Sequence, residues 1–197
     1  MNAITKPHPW GRIGAVLLIY MVLYVLGAAF DLWTTTLALQ RPDIHEGNIA
    51  ATTDGAFDLW RAISWNIAGG ALLGVCVTSS LFFAPKVAPR WLEAPRRSFA
   101  HLYVLPWRAR HLAYTPIHML SYAFAFILLR VIAGSNNALL ATGHAGILSW
   151  PIRQLAGYTG ELTAVVSIVS LLYVGLTLAI APAAAATLRW ARALQDK

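Results

Sequence analysis

With one cysteine and only eight acidic residues among 197, the chain has little of what most catalytic and metal sites are built from. Cys76 alone forms no intramolecular disulfide. Without a C-x-x-C pair there is no thiol-exchange or zinc motif either. Inside an apolar run it serves as a small packing residue. No serine sits in a G-x-S-x-G elbow, and no Gly-rich phosphate loop is present. His45-Glu46 lacks the second histidine, four residues on from the first, that a zinc peptidase helix needs. Helix-turn-helix and RNA-binding signatures are missing too, so the net charge of +7 does not point to nucleic acid as a partner.

Charge of either sign is scarce. Asp, Glu, Lys and Arg make up 12% of the chain, about half the usual fraction of a soluble domain. Hydrophobic residues reach 58% and the mean hydropathy is +0.59. This balance describes a membrane protein. A spanning helix takes roughly 20 apolar residues, so the length suffices for four spans and their loops in one membrane domain. The runs fall at about 13–39, 62–84, 112–133 and 162–184. The first is too long for the core of a cleaved signal peptide and "LGAAFD" is a poor cleavage site, so it reads as an uncleaved anchor.

What charge there is falls between the spans. A basic loop, 85–111, carries Lys86, Arg90, Arg96, Arg97, Arg108 and Arg110 against Glu93 alone. Its four prolines break any single helix, leaving room for a short interfacial one around Arg96–Leu105. The loops at 40–61 and 134–161 hold most of the acids. Of 15 Lys and Arg, eleven lie in the leader, the basic loop and the tail, and four on the opposite side. The positive-inside rule then puts both termini in the cytoplasm. Trp10, Trp91, Trp107 and Trp190 would mark that interface, and Trp33, Trp60, Trp65 and Trp150 the outer one. The expected fold is an all-α integral membrane bundle of four transmembrane helices. Membrane lipid is its first partner, and the six basic loop residues are candidates for anionic-lipid contact.

One charge is out of place. Asp31 lies about 18 residues into the first span, roughly 27 Å along it at 1.5 Å per residue. Arg130 lies about as far into the third span, which runs the same way. A charge in hydrocarbon costs about 2.5–3.5 kcal/mol at the bilayer centre, so the two are expected to pair. Counting by three and four from Asp31 gives one small, polar face: Tyr20, Tyr24, Gly27, Asp31, Thr34, Thr35 and Ala38. The second span has a matching stripe of Ala62, Asn66, Gly70, Gly74 and Thr78. It contains "GALLG", a G-x-x-x-G spacing that permits close helix approach. The two stripes are expected to face each other, with Asn66 near Asp31. The stretch "ATTDGAFDLW" reads as a helix start capped by Thr53 or Asp54.

Asp31, Thr34, Thr35, His45, Glu46, Asn48, Asn66 and Arg130 form the candidate ligand-binding set at the outer leaflet. His45 and Glu46 of that set, together with His144, are the candidate metal ligands, through imidazole and carboxylate. His118 lies in the third span without a second intramembrane histidine for haem, so it reads as a buried hydrogen-bonding residue. No cofactor is defined by these residues.

The stretch "FDLWTTTLALQRPDIHEGN" resembles a pattern in uncharacterised short bacterial polytopic membrane proteins. In that group a first span carries an Asp and a Ser/Thr pair, followed by an outer turn close to E-A-N-P. Asp31, Thr34 and Thr35 match the first part, and Glu46 and Asn48 the second; Ile49 departs from the proline. The resemblance covers about 20 residues and implies a helical membrane protein, a bacterial inner-membrane location and no activity. Three functions are expected in order. The first is a non-enzymatic accessory or assembly subunit docked on other membrane protein subunits. The second is a lipid, metal or small-ligand site, with Asp31 or Glu46 as base and Arg130 as anion holder if it is an enzyme. The third is a small transporter or channel.

Overall fold

The computed structural model describes residues 9–44, 51–54, 56–104 and 113–193. Among the described residues the fold is all-α apart from one hairpin of two-residue strands. Its elements run α1 (Pro9–Ala38), β1 (Thr52–Thr53), β2 (Ala56–Phe57), α2 (Leu59–Phe82), a 3₁₀ turn (Ala84–Lys86), α3 (Pro89–Glu93), α4 (Pro95–Val104), α5 (Thr115–Ala141), α6 (Ser149–Thr159) and α7 (Glu161–Ala193). Among the described residues, four helices are long and apolar enough to cross a membrane: Ile13–Ala38 within α1, then α2, α5 and α7.

The amphipathicity of α1 is turned inside out. Tyr20, Tyr24, Gly27, Asp31, Thr34 and Ala38 are buried and Thr35 half-buried, so the polar stripe faces inward. Leu18 is 65% and Leu26 62% exposed. A helix in water buries leucine and shows threonine; a helix in lipid does the reverse. Hydroxyls along the spans follow the same constraint. Ser64, Ser80, Thr78 and Ser135 each donate to the carbonyl four residues earlier, which satisfies them without a partner outside their own helix.

The chain packs as two compact units, and α1, α2, α5 and α7 each give a segment to both. One unit comprises 1–22, 73–124 and 177–197. Its core is built from large side chains: Tyr20, Leu81, Tyr114, Ile117, Leu120 and Leu188 are fully buried. His118 sits among them, its ring tilted against those of Phe99 and Tyr114. Its Nε2 lies 2.8 Å from Ser98 Oγ, and that hydroxyl donates to the Pro95 carbonyl at 2.6 Å. Having spent its one proton there, Ser98 must accept from His118, which fixes the Nε2–H tautomer. A short helix, α4, is present where one was expected. Trp91 is not an interface marker: it is 8% exposed and packs edge-on to His101 and Tyr114. The side chain of Trp10, and Trp107 entirely, fall outside the described residues.

Pro182 lies inside α7. It has no N–H for the carbonyl of residue 178. Arg96 on α4 supplies the missing donor, its Nε bonding the Leu178 carbonyl at 3.2 Å. Arg189 and Arg192 act alike in the other direction, donating from α7 to the carbonyls of Leu92 and Val87. The basic loop is thereby tied to α7 at three places by cations on backbone oxygens.

The other unit comprises 23–72 and 125–176, and its core is small and polar. Here the hairpin replaces the expected helix start. Asp54-Gly55 is a two-residue turn sequence, Asp54 has φ 51°, and Thr52 and Thr53 pair with Phe57 and Ala56. The cap of α2 is therefore Asp58, whose Oδ1 accepts from the Arg61 N–H at 3.0 Å while Oδ2 accepts from Thr53 Oγ1. The third helix also differs from expectation, ending at Ala141 rather than Ala133. Gly134-Ser135-Asn136-Asn137 looks like a stop but is helical. The stop is Gly143, at φ 83°, with His144 N–H on the Leu139 carbonyl and Gly143 N–H on that of Leu140. This double bond over a left-handed glycine ends α5. The former loop then forms α6, joined to α7 through Gly160.

Two outcomes are expected. Arg96→Gln lowers stability by about 1 kcal/mol in wild type and by distinctly less in Pro182→Ala, where Leu178 regains a helical donor; thermal unfolding of the four combinations reads the difference. Arg61 N–H and Thr53 hold the Asp58 carboxyl below the ordinary carboxylate range. Its capping contribution is complete above the unfolded value and fades as pH falls through the lower folded one. An NMR titration finds the Asp58 midpoint below that of a model aspartate.

Candidate functional site

The polar centre of the 23–72 and 125–176 unit is built from α1 and α5. Asp31 and Arg130 pair as expected, with Arg130 Nη1 2.6 Å from Asp31 Oδ2. The other carboxylate oxygen, Oδ1, accepts from Asn137 Nδ2 at 3.4 Å, and the same amide donates to Thr35 Oγ1 at 2.8 Å. Thr35 passes its own proton to the Asp31 carbonyl, and Thr34 bonds the carbonyls of Phe30 and Asp31. The guanidinium carbon of Arg130 lies 5.0 Å above the Phe126 ring. Tyr24 stacks on that ring, and Tyr173 meets it edge-on. The cation is thus held by a carboxylate and an aromatic face.

Close approach makes this possible. A Cβ on Gly134 would lie 2.6 Å from the Phe30 ring and 3.1 Å from the Asp31 Cα. Only glycine lets α5 come near enough for Asn137, a turn further on, to reach Asp31. Arg130, Gly134 and Asn137 follow the four-then-three spacing of one helix face. That spacing was the available signal for Asn137, which the sequence reading assigned to a loop.

Gly70 does the same for α2. A Cβ there would sit 2.5 Å from Tyr24 Cε1. The Tyr24 hydroxyl donates to the Asn66 carbonyl at 2.7 Å. The second stripe therefore meets the first, but the Asn66 side chain does not hydrogen-bond to Asp31. Its Nδ2 turns back to the Ala62 carbonyl. Among the described residues, Asn66 Oδ1 and Arg130 Nε are buried without a hydrogen-bond partner.

The described members of the outer acidic set make separate local contacts. His144 Nδ1 pairs with Thr142 Oγ1 at 3.0 Å in an exposed turn. Arg41 bonds the Leu140 carbonyl at the end of α5, grips Asp43 through both oxygens and holds that carboxyl below its usual range. His45, Glu46 and Asn48 lie outside the described residues, and among those described no three His, Cys, Asp or Glu cluster as metal ligands. Trp33, Trp60, Trp65 and Trp150 are all exposed, Trp60 by 77%.

Of the basic candidates, Lys86 lies over the Phe83 ring and Arg90 over Trp91, both side chains otherwise exposed. Arg97 is exposed and Arg96 is engaged with Leu178. Arg108 and Arg110 fall outside the described residues.

Comparison with family models, curated proteins and solved structures finds no match to this chain. The chemistry of the centre is therefore argued from its geometry alone. Both carboxylate oxygens are engaged, and both threonines spend their protons on their own helix. The arrangement is a clamp between α1 and α5. Removing one charge strands the other, so Asp31→Asn and Arg130→Gln each lower stability by about 3 kcal/mol. The Asp31→Asn, Arg130→Gln double variant recovers much of that loss; thermal unfolding in detergent measures all three.

Proposed function

We propose that this protein is a non-enzymatic accessory or assembly subunit of a larger membrane complex. It would be a four-span helical bundle in a bacterial inner membrane, with both termini cytoplasmic. One observation carries the reading: both carboxylate oxygens of Asp31 and the hydroxyls of Thr34 and Thr35 are already bonded within α1 and α5, while the outward faces of the spans are mostly leucine, isoleucine, valine and tryptophan. A carboxylate already bonded to Arg130 and Asn137 is poorly placed to act as a base. Apolar faces of this kind suit lipid or the helices of a partner. The resemblance of the Asp31–Asn48 stretch to short bacterial membrane proteins agrees with this, since it brings no activity.

Mild-detergent extraction of the tagged protein from its own membranes, followed by mass spectrometry, tests the proposal. A stoichiometric set of larger membrane subunits is expected. A lone species under conditions that preserve known complexes overturns it.

A second reading, a small-ligand site in the same unit, draws on the two buried atoms without partners, Arg130 Nε and Asn66 Oδ1. A ligand there would raise the unfolding temperature of wild type and leave Asn66→Leu unchanged.

A further inference from the structure

Between α3 and the last turns of α7 lies an open cleft of about 260 Å³ lined by Pro89, Leu92, Glu93, Arg189, Arg192 and Ala193. Its walls are apolar and its rim carries two guanidinium groups and one carboxylate. Both arginines are held in place by backbone carbonyls, Arg189 Nη1 on Leu92 at 2.9 Å and Arg192 Nη1 on Val87 at 3.2 Å. Such anchoring lowers the entropy lost when a guanidinium binds an anion. Lys86, Arg90 and Arg97 stand exposed in the adjoining segments, so the local field is positive despite Glu93.

The position of the cleft along α7 selects the anion. Glu161 opens the helix, and the next charged residue is Arg189. That charge-free stretch is roughly 42 Å long at 1.5 Å per residue. A bilayer with its headgroup layers is about 40–45 Å thick. With Glu161 in one headgroup layer, Arg189 and Arg192 reach the other. Trp190, between them, is 45% exposed, as expected of an indole at that level.

We propose that the cleft between α3 and α7 binds the phosphate of an anionic phospholipid. Arg189 and Arg192 hold the phosphate oxygens. Pro89 and Leu92 contact the first carbons below it. Glu93 accepts from a hydroxyl of the headgroup.

The test uses the full-length protein in mild detergent, titrated with short-chain phosphatidylglycerol, short-chain phosphatidylcholine or inorganic phosphate, with thermal unfolding as the readout. Phosphatidylglycerol is expected to give a saturable rise in midpoint, and the other two little. Arg189→Gln with Arg192→Gln weakens the response about tenfold or more, whereas Arg153→Gln, an exposed arginine on α6 that does not line the cleft, leaves the saturation point within about twofold. Because the arginine variants also lose carbonyl contacts, Glu93→Gln provides an independent arm. It keeps the acceptor, removes the repelling charge and tightens phosphatidylglycerol binding several-fold. An equal response to phosphatidylcholine, a response to inorganic phosphate that matches the lipid, or a Glu93→Gln variant with unchanged or weaker binding overturns the proposal.

Discussion

A polar group inside a lipid-spanning helix must find its partner within the protein, and most of what is distinctive here follows from that constraint. It explains why α1 carries its threonines inward and its leucines outward. It explains why Thr78 and Ser80 of α2 and Ser135 of α5 fold back on their own helices. Above all it governs Asp31, which takes a cation from Arg130 and a donor from Asn137. The same requirement reaches the backbone. Pro182 strips a donor from α7, and Arg96 restores one from another element. In a soluble protein, water would serve each of these groups at little cost.

Two kinds of packing meet this constraint. In the unit that includes α3 and α4, bulky rings and aliphatic chains fill the interior, with His118 and Ser98 as a closed polar pair. In the other, glycines bring helices close enough for short polar side chains to meet. Gly134 and Gly70 are not interchangeable with alanine there, because an aromatic ring occupies the space each Cβ would need. A polar clamp and a close glycine contact thus form one device: without the approach, Asn137 would fall short of its carboxylate.

Much of this was legible from spacing alone. The buried face of α1 was read residue by residue, because a period of 3.6 carries through an uninterrupted apolar run. The Asp31–Arg130 pair followed from equal depth in two parallel spans. The failures share a cause. Gly-Ser-Asn-Asn was taken for the end of α5, since each residue is a helix breaker in water; their use in close packing and hydrogen bonding depends on α1, which no local rule contains. Asp54-Gly55 likewise marks a hairpin as readily as a cap, and Trp91 looked interfacial because burial by Tyr114 and His101 is a tertiary fact. Asn66 reached α1 through its backbone carbonyl, which a sequence pattern does not display. The assignment of function was least legible, because a clamp and a binding site draw on the same residue types.

The partners of Asp31 are far away in the chain: Arg130 is 99 residues downstream, Asn137 two turns beyond. At about 5–20 residues per second of synthesis, α1 is complete for several seconds before α5 exists. During that interval a lone carboxylate occupies a helix otherwise suited to hydrocarbon, at a cost of up to about 3 kcal/mol. The finished protein hides this entirely. Biogenesis does not: the first span, with a mean hydropathy of 2.4, carries that cost from its own apolar length until the third span brings the cation. The order of synthesis thus sets how long one charge stays unmatched.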